Sequence, residues 1–197
     1  MTESCPEGGS VRFEIPESIG ARSELGQHFL RSEPIATWLV DLVAQWDPTQ
    51  IVEVGAGLGT LSRITAERGH ALWAIEKDQR LIRFLESRLA PFGDRVRVTT
   101  ADVFTLDLSA HLLPSSVLLA VLPFDHDLAT QITKYVFDVP QVACGLVVVP
   151  STVATAAAEL GTPMDGLRFE TVGTVARSFF WPVPTVDLHA VTISRVR

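Results

Sequence analysis

Between residues 50 and 150, short apolar segments alternate with segments of helical periodicity. Strands that alternate with helices form βαβ units, so this pattern predicts a parallel sheet covered by helices. An amphipathic helix at residues 35–46 precedes the first strand, and further helices are predicted from residue 60, at 79–89 and at 128–137. The predicted strands are residues 50–55, 71–76, 95–102, 115–122 and 141–149.

The chain changes character after residue 150. A short helical stretch at 151–160 is followed by two segments rich in β-branched residues, 168–176 and 186–196, with no long helix between them. These two segments predict a closing antiparallel hairpin. The expected fold is therefore α/β, with a seven-stranded, mostly parallel Rossmann-like sheet of the methyltransferase variant rather than the dehydrogenase variant.

Composition limits the range of functions. The 197 residues are 47% hydrophobic and 20% charged, which suits one globular domain. A net charge of −7 has the wrong sign for neutralising a phosphate backbone, although Arg22, Arg31, Arg63 and Arg68 leave a local basic patch open. Residues 1–24 are predicted to be a flexible leader or lid and 25–197 the catalytic domain. The sequence predicts two reduced cysteines, no membrane span and a cytoplasmic location.

Three alternate glycines follow the first strand, at Gly55, Gly57 and Gly59. A dinucleotide fingerprint spaces its glycines G-x-G-x-x-G to seat a pyrophosphate, whereas this turn reads G-x-G-x-G. S-adenosylmethionine has no phosphate to seat, so it is the predicted cofactor, and a nicotinamide oxidoreductase is disfavoured. Glu53 either orients the turn or receives the ammonium group of the ligand. The plainer alternative is a tight turn that binds no ligand.

Acidic residues end the next two predicted strands. Glu76 lies about twenty residues beyond the glycines, where a carboxylate accepts hydrogen bonds from ribose hydroxyls. Its alternative role is an exposed charge paired with Lys77 or Arg80. Asp102 ends the third strand and is predicted to accept from the adenine amine, to cap a helix, or to do both.

The fourth predicted strand runs into Leu122, Phe124, Asp125 and His126, at the edge that would face the donated methyl group. The backbone carbonyl of Leu122 is predicted to accept from an amine, and Phe124 either stacks on a planar substrate or packs in the core. His126, with Asp125 beside it, is a candidate general base; the alternative is a solvated loop histidine.

Taken together, these motifs resemble the ribosomal RNA adenine dimethyltransferase family, which includes housekeeping dimethylases and macrolide-resistance methylases. Residues 26–30, Gly-Gln-His-Phe-Leu, resemble the family's G-Q-N-F-L, with His28 in place of Asn. Residues 180–187 are similar to its F-x-P-x-P-x-V-D, so the resemblance implies that Phe180 and Trp181 contact the substrate along with Phe124. The implied cofactor residues are Gln27, His28, Leu30, Glu53, Gly55, Gly57, Glu76, Lys77, Asp102, Val103 and Val121.

Two departures from the family pattern bear on the acceptor. Val121 replaces the family's Asn, whose side chain accepts a hydrogen bond from the reacting adenine amine. The family's helical C-terminal domain has no counterpart before Arg197, and the chain is acidic. From these departures we predict a small-molecule acceptor in preference to RNA. The alternatives are a ribosomal RNA adenine methyltransferase and a non-catalytic protein that binds the cofactor.

Overall fold

The structure is a computed structural model, and it describes residues 13–121, 126–152 and 166–196, with only the backbone of His126. Nine strands lie in these ranges. They are β1 (Phe29–Leu30), β2 (Gln50–Val54), β3 (Leu72–Glu76), β4 (Val96–Thr100), β5 (Ser116–Val121), β6 (Val142–Pro150), β7 (Leu167–Val175), β8 (Phe180–Trp181) and β9 (Leu188–Arg195).

Seven of these strands form one sheet in the order β4-β3-β2-β5-β6-β9-β7. The first five strands of this order, β4, β3, β2, β5 and β6, run parallel to one another. Strand β9 runs antiparallel to both β6 and β7. This confirms the predicted Rossmann-like sheet and its antiparallel end. The carboxyl ends of the parallel strands meet at one edge, where ligands of such sheets bind.

Helices cover both faces of the sheet: α1 (Glu33–Ala44), α2 (Thr60–Glu67), α3 (Gln79–Leu89) and α4 (His126–Phe137). Apolar residues of α1, α2 and α3 pack on one face, and those of α4 pack on the other. The ends of α1 and α3 follow from local chemistry, since Ser32 and Asp78 accept hydrogen bonds from the first turns that they cap. The helices therefore cover both faces of the sheet and leave open the edge formed by the carboxyl ends of its parallel strands.

A second, two-stranded sheet was not predicted. Strands β1 and β8 pair antiparallel, with Phe29 opposite Trp181 and Leu30 opposite Phe180. Leu30 and Phe180 point into the main core, where they are 5% and 1% exposed. The short sheet therefore joins the two segments whose sequences carry the ends of the family resemblance.

The chain before β1 packs against this short sheet. The backbone N–H of Phe13 donates to the carbonyl of Arg31 at 2.7 Å, and Ile19 is 5% exposed in an apolar cluster with Phe29. Residues 1–12 of the predicted leader lie outside the described residues, as does most of the helical stretch predicted at 151–160. Across 13–121, 126–152 and 166–196, no helix is long and apolar enough to cross a membrane.

Candidate cofactor site and active site

The three glycines of the turn after β2 all have positive φ angles, +76° at Gly55, +56° at Gly57 and +79° at Gly59. Their surroundings differ. A Cβ on Gly59 would lie 2.7 Å from the Leu85 side chain, so Gly59 permits α3 to pack closely on the turn. A Cβ on Gly55 would meet only the carbonyl oxygen of Val121, at 3.9 Å. Gly55 therefore leaves room for a ligand, whereas Gly59 serves packing.

Glu76, at the end of β3, is 7% exposed and holds the glycine turn. Its Oε2 accepts from the backbone N–H of Gly57 at 2.7 Å, and its Oε1 accepts from that of Asp78 at 2.7 Å. Burial raises the pKa of Glu76, and these donors oppose the rise. Each carboxylate oxygen has more than one acceptor position, so ribose hydroxyls can bind the same group. The alternative of an exposed charge paired with Lys77 or Arg80 is wrong.

Glu53 lies beneath the same turn and is 2% exposed. Its carboxyl group accepts a 2.6 Å hydrogen bond from the hydroxyl of Ser62. Burial raises the pKa of Glu53 to about 8, the Ser62 hydrogen bond lowers it, and the nearby Glu76 raises it. A small cavity lined by Glu53, Gly55 and Gly57 places this acid where a cationic ammonium group would stabilise its charged form.

Asp102 caps the turn that follows β4, as one of its two predicted roles required. Oδ1 accepts from the backbone N–H of Phe104 at 3.2 Å, and Oδ2 lies 2.6 Å from Nζ of Lys77. The Lys77 hydrogen bond lowers the pKa of Asp102. Asp102 also lines the main cavity, beside the buried Val103, and this position is compatible with a contact to adenine. That contact stays a prediction.

Asp78, which the sequence analysis missed, contacts two residues of the candidate site, Gln27 and Glu76. It is 3% exposed and accepts from the side-chain amide of Gln27 at 2.9 Å, while Arg80 forms an ion pair with it at 2.5 Å. The Arg80 hydrogen bonds hold the pKa of Asp78 below its ordinary range. Its acidic side chain just before a helical segment signalled a cap, but no local pattern indicated the contact with Gln27.

The segment that contains His28 contacts the segment that contains Trp181. Nδ1 of His28 lies 2.7 Å from the carbonyl oxygen of Pro182, and because a carbonyl only accepts, Nδ1 carries the proton. The rings of Phe29 and Trp181 stack at 6.3 Å with an interplanar angle of 14°. Phe180 is buried in the main core, so its placement gives no support to a direct substrate contact.

The main cavity has a volume of about 190 Å³ and lies along the carboxyl edge of the sheet. It brings together most of the predicted cofactor residues, whereas Glu53 and Leu30 line the small cavity, where the Leu30 carbonyl accepts from the hydroxyl of Thr60. Val121 closes the cavity on the side of Gly55. Leu122, Phe124 and Asp125 and the side chain of His126 lie outside the described residues. The lining residues that match the prediction are Gln27, His28, Gly55, Gly57, Glu76, Lys77, Asp102, Val103 and Val121.

A family model described as ribosomal RNA adenine dimethylase matches residues 19–196. The chain belongs to this family. It is similar to the ribosomal RNA small subunit methyltransferase A of Geobacillus sp. (strain WCH70), with 32% identity over 98% of this chain and 72% of the relative. The enzyme of the same name from Cutibacterium acnes is 29% identical over 95% of this chain and 67% of the relative.

Solved structures agree on the fold. The crystal structure of the 23S rRNA methyltransferase ErmE has a TM-score of 0.69 and 21% identity, and the match covers 85% of this chain and 69% of that one. A dimethyladenosine transferase from Plasmodium falciparum has a TM-score of 0.63 and 18% identity, over 81% of this chain and 60% of that one. Class I methyltransferases thus share the architecture described above.

These findings establish this member of the family as an S-adenosylmethionine-dependent methyltransferase. The buried acid of Glu76, the open Gly55 and the apolar walls of the cavity fit that cofactor. The prediction of a small-molecule acceptor in preference to RNA is wrong, because relatives that match almost the whole chain are named as ribosomal RNA methyltransferases. Val121 changes one group in the cavity wall and the net charge is a property of the whole chain, so neither identifies the acceptor.

Proposed function

We propose that this enzyme methylates the exocyclic amine of an adenine in the RNA of the small ribosomal subunit. The observation that carries the proposal is that the family match spans residues 19–196 and includes both segments of the β1–β8 sheet. Those segments lie beside the cavity, where an acceptor base has to reach the methyl group. A cytoplasmic location follows from a ribosomal substrate.

The residues of the cavity divide the cofactor between them in this proposal. Glu76 binds the ribose hydroxyls, Asp102 and Val103 hold the adenine, and the backbone at Gly55 faces the methionine portion, with Glu53 near its ammonium group. When bound, S-adenosylmethionine supplies a methyl group activated by a positively charged sulfur. The chain needs no metal for this chemistry, because its contribution is alignment of donor and acceptor.

The acceptor side rests on the residues after β5. An adenine amine is a poor nucleophile because its lone pair is delocalised into the ring, so the amine has to be held in position. The carbonyl of Leu122 accepts a hydrogen bond from the amine and the ring of Phe124 stacks on the base, while Asp125 or His126 takes up the proton that the amine loses on methyl transfer. Trp181 stacks on Phe29, which lines the cofactor cavity.

The proposal is tested by transfer of labelled methyl groups from S-adenosylmethionine to purified small ribosomal subunits, large ribosomal subunits and free adenosine. Digestion of the RNA and mass spectrometry of its nucleosides then identify the product. We expect N6-methylated adenosine from the small subunit and little from free adenosine, and a Glu76→Ala variant should lose the product. Label in the large subunit alone would reassign the substrate, and label in neither subunit would refute the proposal.

A further inference from the structure

A second cavity, of about 220 Å³, lies on the outer face of the β1–β8 sheet. Alternate residues of a strand point to opposite faces, so Phe29 and the paired Trp181 share the outer face, while Leu30 and Phe180 enter the core. Arg31 directly follows β1 and lines the cavity together with Trp181. Residues before β1 form the opposite wall. The cavity is lined by Ile15, Pro16, Glu17, Ile19, Arg31 and Trp181.

Two stacked aromatic rings lie between this cavity and the cofactor cavity. Phe29 lines the cofactor cavity, and Trp181, which lines the second cavity, stacks on it at 6.3 Å. An RNA chain whose reacting base reaches the methyl group at the cofactor cavity would therefore have a neighbouring nucleotide close to the second cavity. A small free acceptor would not extend from the cofactor cavity to the second cavity.

Arg31 places one positive charge in the lining of the second cavity, which also contains the exposed acid Glu17. Among the described residues Arg31 forms no ion pair with a carboxylate, which also holds for Arg168 on the main sheet. Other basic residues are paired in this way, among them Arg22, Arg63, Arg68, Lys77 and Arg80. The backbone N–H of Arg31 donates to the carbonyl of Phe179 at 2.7 Å and its Nε donates to that of Phe13 at 3.3 Å. Carbonyl partners hold the guanidinium in place without neutralising it.

We propose that this cavity binds the nucleotide next to the target adenine in the RNA chain. The indole of Trp181 and the isoleucine side chains contact the base, as single-stranded RNA is commonly bound through bases stacked on aromatic residues. Arg31 binds the adjoining phosphate. Glu17, exposed at the rim, accepts from a base amine or a 2′-hydroxyl. This assignment rests on the proposed function, because it requires an RNA substrate.

The test measures binding of a short fluorescein-labelled oligoadenylate to the full chain in the presence of S-adenosylhomocysteine, across a range of salt concentrations. Arg31→Gln removes the charge and Ile15→Trp fills the cavity. Each variant should weaken RNA binding by about tenfold. Arg31→Gln should also reduce the salt dependence by about 0.7 in the slope of log affinity against log salt, the amount expected for one lost phosphate contact. Calorimetry should show unchanged binding of S-adenosylhomocysteine.

The matched control is Arg168→Gln, which removes one positive charge from β7, on the main sheet, and should leave RNA binding close to that of the wild type. If Arg31→Gln and Ile15→Trp bind oligoadenylate as tightly as this control and keep the wild-type KM for small ribosomal subunits, the cavity does not bind RNA, and the proposed function stands. If the wild type neither binds oligoadenylate nor methylates either ribosomal subunit, the proposed function fails and the cavity assignment fails with it.

Discussion

The backbone N–H of Gly57 donates a 2.7 Å hydrogen bond to Oε2 of Glu76, so the acid that ends β3 holds the glycine turn that follows β2. The other oxygen of the same carboxylate accepts from the N–H of Asp78, which caps α3. One buried group thus joins the turn, the end of β3 and the start of α3. Glu76 has a structural role in addition to its expected contact with ribose.

Glu76→Gln should lower both cofactor affinity and stability. An amide presents its NH2 group to one of the two backbone donors, and leaving a buried donor unsatisfied costs about 1–3 kcal/mol. We expect binding of S-adenosylhomocysteine to weaken by about tenfold or more and the temperature of thermal unfolding to fall. Calorimetry and thermal melts measure the two effects. Glu86→Gln, on the exposed face of α3, is the control and should change neither.

The pKa of Glu53, raised by burial to about 8, makes stability depend on pH. Between the ordinary carboxyl pKa and about 8, the folded protein holds a proton that the unfolded chain releases. The stabilising contribution is therefore present at low pH and lost as pH rises through this window. Glu53→Gln, which is neutral at every pH, should be more stable than the wild type above pH 8, by at most about 5 kcal/mol.

Thermal melts of the wild type and Glu53→Gln at pH 4.5, pH 6 and pH 9 check this expectation. The difference between the two proteins should be small at pH 4.5, intermediate at pH 6 and large at pH 9. Ser62→Ala provides a comparison, because losing its hydrogen bond to Glu53 removes a contact that lowers the pKa. Parallel pH profiles for the wild type and Glu53→Gln would mean that Glu53 is already charged in the folded protein.

Local chemistry made much of the fold predictable. The helix expected at 79–89 is observed at Gln79–Leu89, because Asp78 caps it and Leu81, Leu85 and Leu89 recur at helical spacing on its buried face. The positions of Glu76 and Asp102 in the wall of the cavity were also predictable, since both lie at the carboxyl ends of parallel strands that meet at one edge, whereas their contacts with the cofactor stay predictions. In each case the residues that made the prediction possible lie close in sequence to the feature that they predicted.

Long-range pairing was not predictable in the same way. Strands β1 and β8 are two residues each, too short for any alternation, and about 150 residues separate them. The contact between Gln27 and Asp78 likewise depends on how the segment before β1 crosses the sheet edge. The acceptor prediction failed for a related reason: it relied on Val121 and on total charge, whereas the charge at the site depends on which arginines have carboxylate partners.

The glycines of the turn should respond differently to substitution by alanine. All have positive φ, so each substitution carries backbone strain of about 1–3 kcal/mol. Gly59→Ala adds a clash with Leu85 and should be the most destabilising in thermal melts. Gly55→Ala meets little protein and should lose cofactor binding instead. Gly69→Ala, away from the cavity at φ +87°, is the control for strain alone and should keep cofactor affinity in calorimetry.

Equal stability of Gly55→Ala and Gly69→Ala, with affinity for S-adenosylhomocysteine lost only in the first, would establish Gly55 as a ligand-contacting position. Unchanged affinity in Gly55→Ala would show that the ligand does not approach the backbone there. Equal stability of Gly59→Ala and Gly69→Ala would mean that Leu85 moves aside at little cost.

Val121 should limit the rate of methyl transfer rather than cofactor binding. It ends β5 in the wall of the cofactor cavity, beside Gly55, and presents no polar atom to an acceptor amine. Val121→Asn would supply a side-chain oxygen that holds the amine in line, and one positioned hydrogen bond at a reacting group is worth about ten- to a thousandfold in rate. We expect kcat on small ribosomal subunits to rise by about tenfold or more, with affinity for S-adenosylhomocysteine unchanged. Val121→Leu matches the branched shape of Asn without its polar atoms and should give no gain. If both variants are equally slow, the wild-type enzyme positions the amine through other groups, and the Leu122 carbonyl becomes the first to examine.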